Sequence, residues 1–583
     1  MPYPIKYIVH NLVWNSEGEC FAYYELIPFN YSFLSLEQKD AVHDAFRQLI
    51  AQNRDGKIHA LQISTESSIR AAQERSKKSV TGRLKEIACA EIDEQTENLI
   101  ASLGDTQVDY RFFIGFKLVV TDKELSVKEV GNAAKNLLHD AVNAIGHSFM
   151  GDFVSMPNDE IRRYSRMEKL MENKLSRRFK VRRLDKNDFG YLLEHIYGRT
   201  GTAYEDFEFT LPLKKRKRDT LVKRYDLIKP ARCLIEEKQR YMRIKSEDSE
   251  SYVAYFTISD VVGELDFPSS EIFYFQEQQF DFPIDTSMNV EIVTNKAALS
   301  TVRNKKKELK DLENHAWEAN SDTTNQVMDA LESVDELETV LDQSKESMYK
   351  LSYVVRVTAP DTEELKRRCN QVRDFYDDAS IKLVRPIGDM MGLHNEFIPS
   401  SKRYMNDYVQ YVTSDFLAGL GFGATQMLGE RDGIYLGYNV DTDQNVYVQP
   451  ARAAQGVKGS VTNALSGAFL GSLGGGKSLS FNLLTYYAVL NGAQALILDP
   501  KSERGLWKEK LPEIADEINI VNLTSDEGNK GMLDPYIIMR KTKDAESLAL
   551  DVLTFLTGIS SRDGKLFPVL RRAVRAVTNS ETR

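Results

Sequence analysis

The chain has 583 residues, 28% of them charged and 42% hydrophobic, with a formal net charge of −10. That length exceeds one hydrophobic core and implies three or four domains, and the acidic balance excludes a chain that grips polyanions with its whole surface, so any DNA contact needs a local basic patch. No run reaches the ~18 apolar residues of a membrane span, the N-terminus lacks the layout of a signal peptide, and Cys20, Cys89, Cys233 and Cys369 have no metal-ligand spacing and read as reduced thiols of a cytoplasmic protein.

Strand and helix patterns alternate over residues 1–200. They predict a strand pair over 5–14 and 20–27 across a turn at 15–18, then a helix over 36–52, a strand over 59–63 and a long polar helix over 66–103. Tyr110, Phe112, Ile114, Phe116 and Leu118 alternate along a strand over 108–120. Thr121 and Asp122 then cap a helix over 127–145. His10, His43, His59, His139 and His147 are isolated and form no catalytic constellation. The run Lys214, Lys215, Arg216, Lys217, Arg218 is the densest positive segment. It reads as a solvated interdomain loop, with contact to nucleic acid or anionic lipid as the alternative.

Residues 229–295 look β-rich, with strands over 252–258, 272–275 and 288–293. Residues 296–350 hold almost no Gly or Pro and predict two long helices broken at 319–322. Leu331, Val334, Leu337, Val340 and Leu341 form one apolar stripe, as in a projecting helical hairpin. A small unit follows: a strand over 351–358, a helix over 361–377 capped by Asp361, a strand over 381–385 and a helix over 388–397. After an irregular stretch, strands over 434–438 and 445–449 form a hairpin.

The residues Gly471, Ser472, Leu473, Gly474, Gly475, Gly476, Lys477 and Ser478 fit the phosphate-loop pattern G-x-x-x-x-G-K-[S/T]. Such a loop turns backbone N–H groups onto a polyphosphate, and the helix behind it adds its positive end. In that arrangement Lys477 reaches the β- and γ-phosphates, Leu479 adds a backbone contact, and the Ser478 hydroxyl holds Mg²⁺. The surroundings fit. An apolar run over 464–470 predicts a buried strand before the loop, and apolar residues over 479–490 predict a helix that Asn491 and Gly492 end. The run 493–499 predicts a second strand that ends in Asp499. Strand, loop, helix and strand make the βαβ unit that a phosphate loop requires. Further on, 518–523 reads as a strand, and 545–556 and 567–577 as helices.

The phosphate loop, the Asp499-Pro500-Lys501-Ser502-Glu503 element and the hairpin with Leu436-Gly437-Tyr438-Asn439 resemble the conjugation ATPases of type IV secretion systems. These belong to the HerA/FtsK-like branch of P-loop motor proteins, and the likeness is nearest to forms carried by integrative and conjugative elements. It implies an α/β multidomain protein: an α+β N-terminal domain over 1–200 that docks membrane or partner components, a basic loop and β-rich segment over 201–295, a helical-hairpin insertion over 296–350, a small βα unit over 351–419, and a RecA-like P-loop NTPase domain with a parallel sheet over 420–583. It also implies an ATPase using ATP and Mg²⁺, peripheral at the inner face of the cell membrane, assembled as a hexamer, partnered by secretion-channel components and energising DNA transfer. Asp499 would then hold Mg²⁺ through water, and Glu503 would either lie near the γ-phosphate as a catalytic residue beside Lys477 or stand as a solvated acid in the first turn of a helix. The family's later apolar strand ending in Asp-Glu does not follow Asp499, so the chain is expected to be the front part of a longer protein whose ATPase sheet is incomplete here and whose own turnover is poor. Two other readings stay open: a HerA/FtsK-like DNA-pumping hexamer, and a nucleotide-gated scaffold without turnover.

Overall fold

The computed structural model describes residues 3–119, 158–198, 207–209, 221–223, 233–246, 250–261, 276–318, 325–440, 444–451, 466–522 and 530–580, apart from 33, 54–55, 105 and 405, together with 204, 267, 271, 273–274, 454 and 528. It forms two compact units, Met1–Gln494 and Ala495–Arg583.

The first unit is built on a sheet with fourteen strands among the described residues. Its middle runs, side by side, through Cys20–Leu26, Thr106–Lys117, Lys57–Ser68, Ile284–Val293, Met348–Ala359 and Glu250–Val261. Each of these neighbours is antiparallel. Antiparallel pairing leaves alternate side chains on opposite faces, and here both faces are buried. Phe112, Ile114 and Phe116 point into one core with Tyr24, where the helices Leu36–Ala51 and Thr362–Asp378 supply Phe46, Leu49, Val372 and Tyr376. Phe113 points into the other with Phe21 and Tyr23, where the helix Lys186–Gly198 supplies Leu192, Leu193 and Ile196.

The second face also carries a buried polar layer. Asp285 and Arg356 sit directly opposite each other across Ile284–Val293 and Met348–Ala359, with 2.9 Å between Arg356 Nη1 and Asp285 Oδ2. His195 Nε2 lies 3.0 Å from the same oxygen, and the Ser64 hydroxyl donates to Asp285 Oδ1 at 2.6 Å. Burial opposes a charge on Asp285, but His195, Arg356 and Ser64 outweigh it and hold the carboxyl well below the usual carboxylate range. One row along, His59 stands opposite Asn289. The Tyr23 hydroxyl meets His59 Nδ1 at 2.7 Å, and His59 Nε2 meets the Glu396 carbonyl at 3.0 Å. A carbonyl only accepts, so Nε2 carries the proton and Tyr23 donates to Nδ1. Burial pushes His59 down to about 4, and burial with Arg356 pushes His394 down to about 3.

The helical hairpin is present as Asn295–Glu318 and Asn325–Ser344. Arg303 and Lys306 on one helix pair with Glu338 on the other, and Leu341 is buried with Ala298, Val302 and Met348. Val340 is exposed and leaves the expected stripe. Asp361 caps Thr362–Asp378 as expected, accepting from the Glu363 and Glu364 N–H groups. The helix expected over 127–145, the basic run Lys214–Arg218 and the hairpin break at 319–322 lie outside the described residues.

Four expectations change. The first strand, expected over 5–14, is a hairpin of Ile5–Val9 and Leu12–Asn15, turned at His10, whose φ is +54°. The long helix expected from 66 is instead the end of the strand Lys57–Ser68, followed by two helices, Ile69–Ser79 and Lys85–Leu103. The strand wins because Thr106–Lys117 pairs with it along its whole length, from Ile58 opposite Phe116 to Ser68 opposite Thr106. The first helix ends where Val80 turns extended, with φ −67° and ψ 129°, and Gly82, at φ +97°, shapes the turn before the second. In the strand expected over 272–275, the described Phe273 and Tyr274 are buried in a turn region. Finally, the parallel sheet expected for the nucleotide domain is not formed among the described residues: 466–470, 495–499 and 518–522 are irregular. Parallel strands need hydrogen-bonded neighbours, and none of the described strands pairs with these segments. Their apolar side chains stand in water, with Leu470 90%, Leu496 90% and Leu498 84% exposed. The described part of the second unit is helical, with Thr542–Thr557 and Leu566–Thr578 joined by an Arg575–Glu546 ion pair of 2.9 Å.

The depressed histidines set a pH dependence for the first unit. A histidine kept neutral in the fold takes up a proton on unfolding, so the unfolded chain binds more protons below pH ~6.5 and stability falls as pH drops toward 4. For His59 alone the loss is roughly 3 kcal/mol across that window, and Asp285 adds a further loss below pH ~4. Urea unfolding at pH 7 and pH 4.5 checks this: His59→Gln is less stable than wild type at pH 7 and shows a flatter pH dependence.

Candidate functional site

The glycine loop runs from Gly471 to Gly476 and turns into the helix Lys477–Leu490. Gly474 and Gly476 both have φ near +78°, a left-handed conformation that costs a residue with a Cβ about 1–2 kcal/mol. Gly476 is the residue before the helix, and no side chain caps that end. The first N–H groups of a helix have no partner within it, and here they open onto an exposed loop. Ser480 N is the first to bond back, to the Gly476 carbonyl at 2.9 Å.

Lys477 leads the helix and its ammonium donates to the Ser472 carbonyl at 2.6 Å. A Cβ on Gly471 would lie 3.3 Å from Lys477 Cγ, so the loop wraps closely round the lysine stem. Phe469 packs edge-on against Phe481 with ring centres 5.6 Å apart, which pins the segment before the loop to the helix behind it. The structure thus brings Gly471, Ser472, Leu473, Gly474, Gly475, Gly476, Lys477, Ser478 and Leu479 into one turn-and-helix nest. Left-handed glycines, uncapped N–H groups and a cation beside them form an anion-binding set that fits a polyphosphate. Ser478 lies in the first helical turn, where a hydroxyl can reach a Mg²⁺ held by that polyphosphate.

The helix ends as the sequence predicts. Gly492 has φ +98°, its N–H bonds the Val489 carbonyl and the Ala493 N–H bonds the Ala488 carbonyl, each at 2.9 Å. This is a paired left-handed stop of the Schellman type.

In the second unit, Asp499 folds its carboxylate into its own turn. Its oxygens accept from Arg504 N at 2.9 Å and Lys501 N at 3.2 Å, and the Arg504 guanidinium stands 3.4 Å away. The Arg504 N–H, more than the opposing desolvation, holds Asp499 below the usual carboxylate range. Oδ1 faces both Lys501 N and the Arg504 guanidinium, whereas Oδ2 accepts from Arg504 N. Ser502 takes φ +53° in the same turn, a conformation that non-glycine residues rarely adopt. Glu503 follows it in that turn. Among the described residues no group of three or more His, Cys, Asp or Glu is placed to hold a metal ion, and no helix is long and apolar enough to cross a membrane.

Residues 444–583 match the family model of an AAA-like domain, so a P-loop NTPase domain of the HerA/FtsK kind stands at this end of the sequence. YddE of Bacillus subtilis (strain 168), described as an uncharacterized protein, is 20% identical over 528 residues, covering 87% of this chain. The chain spans 61% of the length of that relative.

Sequence reasoning missed what stands behind the loop. The end of its helix packs on the helix Lys85–Leu103 and on the turn at Thr81 and Gly82 that precedes it.

Replacing Lys477 by Ala removes the cation from the nest without touching the sheet. ATP binding by the Lys477→Ala chain is expected to fall by about tenfold or more, read by fluorescence titration, with the circular dichroism of the chain unchanged.

Proposed function

We propose that the chain is the nucleotide-driven motor part of a conjugative type IV secretion apparatus, an ATPase that uses ATP with Mg²⁺ to energise channel assembly and DNA transfer. The observation that carries the nucleotide reading is the uncapped helix start at Gly476–Lys477, inside the stretch that matches an AAA-like domain. The reaction is attack of water on the γ-phosphorus. The bond to the β,γ-bridging oxygen breaks and its electron pair leaves with ADP, the water oxygen and one of its protons stay on the inorganic phosphate, and the other proton is released to solvent.

In this reading the N–H groups of Gly474 to Leu479 bind and orient the phosphates. Lys477 neutralises charge that grows on the transferred group and the leaving oxygen. The Ser478 hydroxyl would hold Mg²⁺, and Asp499 would orient a water of its hydration shell. When bound, Mg²⁺ would supply positive charge that offsets the charge growing on the leaving phosphate oxygens. Glu503 lies on the same turn as Asp499 and is the candidate to orient the attacking water.

The conjugative role is supported by the resemblance of the chain to the conjugation ATPases. A hexamer and contact with secretion-channel proteins belong to the same proposal. The HerA/FtsK-like alternative, a motor that pumps DNA directly, predicts hydrolysis strongly stimulated by DNA and steeply weakened by salt.

Two measurements separate these readings. Cells whose protein carries Lys477→Ala are expected to lose DNA transfer, and wild-type transfer in that mutant would sink the motor role. Steady-state hydrolysis is expected to change less than about twofold when double-stranded DNA is added at about 50 mM salt; a large, salt-sensitive rise would favour the DNA pump.

A further inference from the structure

The helix Lys477–Leu490 has one end at the phosphate nest and the other pressed against the N-terminal sheet unit. Its last residue, Leu490, is 1% exposed. A narrow crevice here is lined by Ala88 and Ile92 of the helix Lys85–Leu103, by Ile434 and Tyr435 of the strand Ile434–Asn439, and by Tyr487 and Leu490. Tyr487 lies near enough to Glu91 and Glu94 that, with burial as the larger cause, its hydroxyl is held above the ordinary phenol range. Immediately beyond, Gly492 sits on the turn that joins the two N-terminal helices: a Cβ on Gly492 would stand 2.6 Å from the Thr81 carbonyl oxygen. The opposing glycine is also close, since a Cβ on Gly82 would stand 3.5 Å from Gly492 Cα. Two glycines, each at positive φ, let the backbones touch.

The same helix pair holds the strand that flanks the phosphate-loop helix. Gly433 N donates to the Ser76 hydroxyl at 2.8 Å, and Arg75 faces Asp432 at 3.9 Å. Beside it, Arg431 pairs with Asp109 at 2.9 Å, and the Gln444 amide donates to the Val108 carbonyl at 2.7 Å. Asp109 and Val108 belong to Thr106–Lys117, in the middle of the large sheet. The start of the AAA-like stretch at residue 444 is therefore tied to the sheet, and so is the rear of its phosphate-loop helix.

From this geometry we infer that the helix pair Ile69–Ser79 and Lys85–Leu103 positions the phosphate loop through the Gly492–Thr81 contact and the Leu490 seat, and that nucleotide at Gly471–Ser478 is felt in the N-terminal sheet unit through the same contact. The inference rests on the nucleotide reading above. A rigid helix carries a displacement of its first turn to its last, and the last turn has no slack, because the Thr81 backbone lies against Gly492. Whatever free energy ATP spends in moving or stiffening the loop must then appear at Lys85–Leu103, and a change at Lys85–Leu103 must return as altered ATP affinity.

Amide hydrogen exchange with and without ATP·Mg²⁺ tests this, together with an ATP titration of the same samples. In wild type, ATP is expected to bind and to slow exchange in Lys85–Leu103. Gly492→Ala, which forces a Cβ against Thr81, is expected to weaken ATP binding by about fivefold or more and to erase the slowing. Exchange of the strand pair Lys57–Ser68 and Thr106–Lys117 should stay at its wild-type level, which a general loss of structure would not allow. Ile92→Gln alters the seat from the N-terminal side, leaves the AAA-like sequence untouched, and is expected to act in the same direction. ATP binding with no change in Lys85–Leu103, or wild-type ATP affinity in both variants, would overturn the coupling and leave the nucleotide site standing. Failure of wild type to bind ATP at all would overturn the nucleotide reading and the coupling with it.

Discussion

The first turn of a helix presents N–H groups that its own backbone cannot satisfy, and the residue before Lys477 is Gly476, which has no side chain to cap them. The neighbouring residues follow from that demand. Gly474 and Gly476 turn left-handed so that the loop can pass in front of the helix axis. Lys477 stays folded against the loop, and Ser478 follows it in the first turn. The other end of the helix is closed where the first is open. There the left-handed stop at Gly492 satisfies the last carbonyls and allows contact with Thr81 at backbone distance. One helix thus joins an open anion nest to a tightly packed seat.

The seat is firm because of the sheet beneath it. Its central strands are long, antiparallel and buried on both faces, and the second face carries ionised and polar groups away from water. A buried charge is costly unless it is paired and hydrogen-bonded. Asp285 meets this with Arg356, His195 and Ser64, and His59 meets it by remaining neutral between Tyr23 and a backbone carbonyl. These groups come from strands and helices far apart in sequence, so they hold the sheet and its covering helices in one register. A polar layer of this kind fixes arrangement more than it adds stability.

Much of the chain was legible from local patterns. Period-two alternation marked Thr106–Lys117, Asp361 marked its helix start, the hairpin Asn295–Glu318 with Asn325–Ser344 followed from composition, and the phosphate loop with its Asn491–Gly492 stop was explicit. The failures have a common cause. Glu66, Ser67 and Ser68 look helical alone, but they lie in a strand because Thr106–Lys117 pairs with each of them. The turn at His10 and Asn11 lies inside an apolar run that reads as one strand. Nothing near His59, His195 or Arg356 in sequence announces their buried partners, which come from other elements. In the nucleotide region the apolar runs at 466–470 and 495–499 carry the right pattern, but a parallel strand is a property of a sheet and not of a segment, and these segments have no paired neighbour among the described residues. The loop and its helix are local, and they formed.

The proposed motor function requires the Gly471–Ser478 nest to bind the polyphosphate of a nucleoside triphosphate. Isothermal titration of the chain with ATP, ADP and AMP in the presence of Mg²⁺ decides whether it does. One ATP is expected to bind per chain, with affinity falling as phosphates are removed and no measurable binding of AMP. Equal affinity for ATP and AMP, or no heat with ATP, would contradict it.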